Sequence, residues 1–242
     1  MNSIMTKVQQ HYDKAIEHYG EDAVLGVFLY GSQNYQCDTP NSDVDTKCIL
    51  IPDLYHLAIA TYDVTHLHIG EEVCECMTIM HMVKNWKKQN PNFLEIMFTH
   101  YCIINPRYLG IWQLFIDEWR ERIARYNVRA GVMSICGQAI HTIKQNPKDG
   151  KKIGNAYRLL ELCHNYIAGK PYSECLIPQD AALVRNFKTG VMPVLDSDSV
   201  VLLDRFEHLM KNADTCSGED KSLKPILDNF IIELLQYRIN ME

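Results

Sequence analysis

A chain of 242 residues with 47% apolar and 22% charged side chains can bury a sizeable core, as one large domain or two modest ones, which excludes disordered and fibrous classes. Its net charge of −6, from 24 basic and 30 acidic residues, excludes the overall basic balance that long phosphate backbones favour, so a nucleic-acid partner would need a local patch. No apolar run approaches a membrane span, Met1 to Lys7 lacks a signal peptide's apolar core, and nine cysteines without framework spacing suit reduced thiols; no membrane partner and a cytoplasmic location are expected.

In chain order, Ile4, Val8, Ala15, Ile16 and Tyr19 recur on one helical face, predicting a helix over residues 3–19 that Gly20 ends. Val24 to Tyr30 reads as a buried strand, and Val44 to Ile51 as the next. Gly31-Ser32 follows the first strand, and Ser42-Asp43-Val44-Asp45 opens the second. A glycine and a serine at a strand end can present backbone N–H groups and a hydroxyl to phosphate oxygens, because no bulky side chain blocks the approach. Aspartates at i and i+2 of a strand share a face, so both can grip Mg²⁺, a hard cation that takes oxygen ligands. Each pair alone is common, and Asn41-Ser42-Asp43 after Thr39-Pro40 also suits a polar turn. Their order, spacing and attachment to strands together point to a site for a metal-bound triphosphate.

Residues 52–70 are a polar and aromatic stretch without a clear period, in which His66 and His68 lack a matching second pair and suit surface or core roles. Val73 to Ile79 has a strand's composition, with Cys74 and Cys76 on one face and Glu75 on the other, and Met80 to Gln89 reads as a helix stopped by Asn90-Pro91. From Leu109 the pattern is amphipathic helices joined by polar turns, ending in an apolar face over residues 221–238. Two clusters offer local positive charge: Arg120, Arg122, Arg125 and Arg129, and Lys144, Lys148, Lys151 and Lys152. Solvated helix faces account for both equally well.

Gly31-Ser32, ten intervening residues and Asp43-x-Asp45 resemble the signature of the DNA polymerase beta-like nucleotidyltransferase superfamily, and within it a branch of small predicted bacterial and phage nucleotidyltransferases. Tyr35 and Ser42 also fit that branch; Gln33 and Gln36 depart from it, Gln33 standing where an arginine is usual. Asn90-Pro91-Asn92 through Glu95 and the basic helix from Lys152 to Leu160 are similar to two further blocks of the branch.

The resemblance implies an α+β fold, a mixed sheet with flanking helices over residues 1–106 followed by a helical domain over residues 107–242. It implies a metal-dependent transfer of a nucleoside monophosphate from an NTP, ATP foremost, to an acceptor hydroxyl, with RNA of tRNA type favoured over protein or a small molecule. Asp43 and Asp45 would bind Mg²⁺ or Mn²⁺. The superfamily's third carboxylate is expected at Glu75, with Glu71 and Glu72 as alternatives. Gly31, Ser32, Ser42, Lys47 and Arg158 are the expected nucleotide contacts, while Glu95 and Asn92 would organise the domain junction. A catalytically silent nucleotide-binding regulator, or an interaction partner in a toxin or antiviral system, is the alternative.

Overall fold

Apolar alternation in the first hundred residues becomes a five-stranded sheet in the computed structural model, which describes residues 3–59 and 64–241. The elements in order are α1 (Ser3–Tyr19), β1 (Val24–Leu29), β2 (Thr46–Leu50), α2 (Leu54–Ile59), β3 (Thr65–Ile69), β4 (Glu72–Thr78), α3 (Ile79–Lys87), α4 (Pro91–Leu94) and β5 (Cys102–Ile104). Strand order is β3-β4-β2-β1-β5, with β2 and β4 parallel and every other pair antiparallel, so the fold is α+β with a mixed sheet and flanking helices. All six residues of β1 are buried because both faces of the sheet are covered. Val8 and Ala15 of α1 pack with Val27, Leu29, Cys48, Cys74 and Cys76 on one face. Leu25, Phe28, Ile49 and Met77 face the later helices.

Two differences from the expected elements have local causes. β2 begins at Thr46 rather than at Val44: Asp43 is exposed, Val44 buried and Asp45 half-buried, so the alternation runs ahead of the regular ladder. The stretch after Pro52 hides α2 and the edge strand β3; residues 60–63 of that stretch lie outside the described residues. In β3 only Leu67 and Ile69 turn towards the core while His66 and His68 stay exposed, a weak pattern that suits an edge. All nine cysteines are free thiols, seven of them buried.

The rest of the chain is α5 (Leu109–Ile123), α6 (Val128–Gln145), α7 (Gly150–Ile167), α8 (Tyr172–Leu176), α9 (Ala181–Thr189), α10 (Asp196–Lys211) and α11 (Leu223–Ile239). One hydrophobic cluster runs from the sheet residues Phe28 and Ile49 through Trp86, Trp112 and Phe115 to Ile153, Leu159 and Phe230, so sheet and helices share a core. Asn127, Asp149 and Asp180 cap α6, α7 and α9, each accepting a backbone N–H three residues on.

Helix α9 lies close against α7 because Gly150 and Gly154 leave no side chain between them. A Cβ at Gly154 would stand 2.9 Å from the Val184 carbonyl oxygen, and one at Gly150 only 2.2 Å from that of Phe187. An alanine in a helix interior ordinarily gains about 0.5–1 kcal/mol over glycine. At position 154 overpacking reverses that sign, and Gly154→Ala is expected to lose about 1–2 kcal/mol in urea denaturation. A stabilised variant would show that the two helices are not in backbone contact.

Candidate active site

The chain leaves β1 at Tyr30 and turns sharply at Gly31, whose φ of +98° lies in the region open to glycine. Local hydrogen bonds fix the turn that follows: Asn34 N–H donates to the Gly31 carbonyl (3.0 Å), Cys37 N–H to that of Ser32 (2.9 Å), and the Asn34 amide to that of Leu29 (2.9 Å). The Gln33 side chain donates to the Asp43 carbonyl (2.7 Å), so the residue standing where the resembling branch has arginine ties the glycine turn to the aspartate loop. The Ser42 hydroxyl accepts the Thr39 N–H (2.9 Å) and closes a turn over Thr39–Ser42.

A cleft of about 190 Å³ opens between these loops and the helices. Gly31, Ser32, Ser42, Asp43 and Asp45 line one wall, joined by Tyr30, Gln33 and Tyr35. Lys151, Lys152 and Asn155 from the start of α7, with Lys188 of α9, line the other. Burial and the nearby Asp43 charge push the Asp45 carboxyl above its ordinary value, while Lys151 and a hydrogen bond from the Val73 N–H act against that rise. Two crowded carboxylates gain from a shared cation. Magnesium is commonly held by one or two carboxylates together with substrate phosphates, so Asp43 and Asp45 fit an ion that arrives on a nucleotide.

The opposite wall is built for anions. Lys151 and Lys152 occupy the first turn of an 18-residue helix, where the macrodipole disfavours cations by about 0.3–1 kcal/mol each. That local cost is the signal that could have assigned them to the site. Lys188 is fixed by donating to the Cys37 carbonyl (2.7 Å), and burial, with Lys151 and Arg158 near, lowers its pKa. Arg185 donates to the Gln36 carbonyl, so α9 clasps the turn through two cations.

Three expected contacts sit behind the cleft rather than in it. Lys47 is 2% exposed, paired with Glu75, and enclosed by the Tyr30 and Phe93 rings, 4.1 and 4.5 Å from its ammonium. Glu75 lies opposite Lys47 in the parallel ladder and shares its face. Among the described residues, no three His, Cys, Asp or Glu side chains are grouped so as to hold one metal ion, so Glu75 does not join Asp43 and Asp45 in such a cluster. Glu72, the alternative, pairs with Lys7 and lies 3.4 Å from His11 on the α1 side. Arg158 is 5% exposed; its guanidinium lies over the Tyr35 ring at 3.8 Å and its Nε donates to Asn155 (3.0 Å).

Glu95 is buried directly behind the turn and accepts the Gly31 N–H (3.2 Å), so that donor faces away from the cleft. Of the arginine cluster, Arg125 donates to the Tyr166 and Lys170 carbonyls, while Arg122 and Arg129 pair with Asp220 and Asp214. Lys148 pairs with Asp196, and Lys144 is exposed at the end of α6.

No protein-family model and no curated protein matches the chain. Among solved structures, the crystal structure of a nucleotidyltransferase-like protein from Exiguobacterium sibiricum is similar at a TM-score of 0.31 and 12% identity, covering 95% of this chain and 80% of that one.

Burial pushes the Glu95 carboxyl up to about 7 from an ordinary 4.5, against the pull of Arg158, the Gly31 N–H and Lys47. The folded protein then holds this proton more tightly than the unfolded chain does. Its contribution to stability is complete below about pH 4.5 and is lost as pH rises to about 7, on the order of 3 kcal/mol in all. Glu95→Gln, which keeps an acceptor for Gly31 and carries no charge, should lessen that fall and be the more stable protein at pH 8. Urea denaturation of both proteins at pH 5 and pH 8 checks this, and equal falls in the two would contradict it.

Proposed function

We propose that the cleft binds a nucleoside triphosphate with its divalent cation and transfers the nucleoside monophosphate to an acceptor hydroxyl. The observation that carries this reading is the pairing of two carboxylates on one wall with three lysines on the other, around a turn that glycine leaves open. Lys151, Lys152 and Lys188 neutralise the phosphates, and Ser32 offers a hydroxyl beside them. Asp43 and Asp45 would hold Mg²⁺ or Mn²⁺, which when bound polarises the phosphoryl group and offsets the charge that develops on it. Tyr30 and the Lys47–Glu75 pair form the supporting layer beneath Asp45, where burial pushes the Tyr30 hydroxyl well above its usual range and keeps it neutral. RNA is the proposed acceptor by resemblance, since a polyanion is the acceptor class that local lysines favour. ATP is the proposed donor by resemblance.

One observation favours a second reading. The carboxylate expected to complete the metal site is already neutralised by Lys47, which suits a protein that binds the nucleotide without turning it over. Changing Glu75 is a poor discriminator, since Glu75→Gln would leave Lys47 buried without its partner at a cost of a few kcal/mol. The direct test is incubation with α-labelled NTP, Mg²⁺ and separate RNA and protein fractions. Transfer of label by the native protein, reduced at least 100-fold in Asp45→Asn, is the expected result. Binding with no transfer to any fraction would establish the regulator, and a fully active Asp45→Asn would remove the carboxylates from the chemistry. Lys151→Ala with Lys152→Ala should weaken NTP binding about 10- to 100-fold while leaving stability within about 0.5 kcal/mol or slightly raised, checked by titration calorimetry and urea denaturation.

A further inference from the structure

Glu95 is a buried acid that touches no cleft space. It follows α4 in a short helical turn, is 3% exposed, and points an oxygen at the Gly31 N–H from the side opposite the cleft. The charged and titratable groups that act on it are Arg158 of α7, Lys47 of β2, Tyr30 and Tyr35 at the two ends of the glycine turn, and Tyr172 of α8. Burial pushes all three tyrosines up, so they stay neutral near pH 7. Arg158 is engaged with Tyr35 and Asn155, and Lys47 with Glu75. Glu95 thus stands directly behind the turn with a carboxyl that burial brings to about 7.

We infer that Glu95 is a proton-linked positioning residue: it holds Gly31 in place through a carboxyl oxygen in either ionisation state, while its negative charge, when present, opposes an anion bound in front of the turn. This rests on the cleft being a triphosphate site. The physical basis is reciprocity. A bound triphosphate places negative charge on the far side of Gly31 and disfavours ionised Glu95, so binding and proton uptake favour each other equally. The residue that orients the turn thus also sets how the site responds to pH, without touching the nucleotide.

Two measurements test this. The first needs no nucleotide: the Gly31 backbone amide, followed by ¹H–¹⁵N NMR, should titrate with a midpoint between about pH 6 and 8 in the native protein and not in Glu95→Gln. The second is the affinity for an NTP analogue that resists cleavage between the α- and β-phosphates, measured with Mg²⁺ at pH 6.5 and 8. Native affinity should fall several-fold more than that of Glu95→Gln, and the variant should bind more tightly than the native protein at pH 8. A Gly31 amide that does not titrate, or the same pH dependence of affinity in both proteins, overturns the inference. If Gly31 titrates as expected but no analogue binds at any pH, the proton link to the turn stands, its effect on nucleotide is overturned, and the failure lies with the triphosphate site. Glu95→Ala adds a control on fold: loss of Gly31's acceptor should disperse the turn amides, whereas Glu95→Gln should leave them near their native positions.

Discussion

The Arg158 guanidinium lying on the Tyr35 ring is the contact on which the cleft depends. Lys151, Asn155 and Arg158 recur at i, i+4 and i+7, so they share one face of α7. Arg158, at the buried end of that face, is seated on the glycine turn; Lys151, at the open end, stands across from Asp45. A desolvated cation over an aromatic face is worth about 2 kcal/mol, which is enough to fix the helix against the turn. The close passage of α9 over Gly150 and Gly154 then brings Lys188 and Arg185 onto the carbonyls of Cys37 and Gln36. Both walls are in this way set by packing outside the cleft.

Charge is distributed in two layers. In front, two carboxylates and three lysines face the cavity, an arrangement that gains when a polyanion with its cation enters between them. Behind, Lys47, Glu95 and Arg158 are buried, Lys47 and Arg158 against aromatic rings, and half-buried Glu75 pairs with Lys47. Buried charges of this kind cost desolvation and contribute little net stability, so their value lies in holding one arrangement of the loops in front. Gln33 belongs to the same scheme, because an amide reaching the Asp43 carbonyl fixes the spacing of the two loops where an arginine would have projected charge.

Much of the sheet was legible from residue pattern alone. The helix from Ser3 to Tyr19 and the strand from Val24 carry clear periods because one face or both are buried, and the structure has them where the pattern predicts. The edge strand was hidden, since an edge needs only Leu67 and Ile69 to turn inwards. At the site, Gly31, Ser32, Ser42, Asp43 and Asp45 could be read because they are near in sequence and attached to strands. The second wall was legible only in part: pattern offered Lys151 and Lys152 as local positive charge or, equally well, as a solvated face, whereas Lys188 reaches the cleft through the α7–α9 packing. Lys47, Glu75 and Arg158 show the converse: alternation and motif placed them near the site, but whether a charge points into a cleft or into an aromatic box depends on neighbours distant in the chain.

The central claim is that the carboxylate and lysine walls form one site for a metal-bound triphosphate. Titration calorimetry of ATP into the protein, with and without Mg²⁺, tests it most directly. The account predicts one molecule bound per chain, with affinity that rises when Mg²⁺ is present and with the Mg²⁺ enhancement lost in Asp43→Asn/Asp45→Asn. Absence of binding, or binding indifferent both to Mg²⁺ and to the two aspartates, would contradict it.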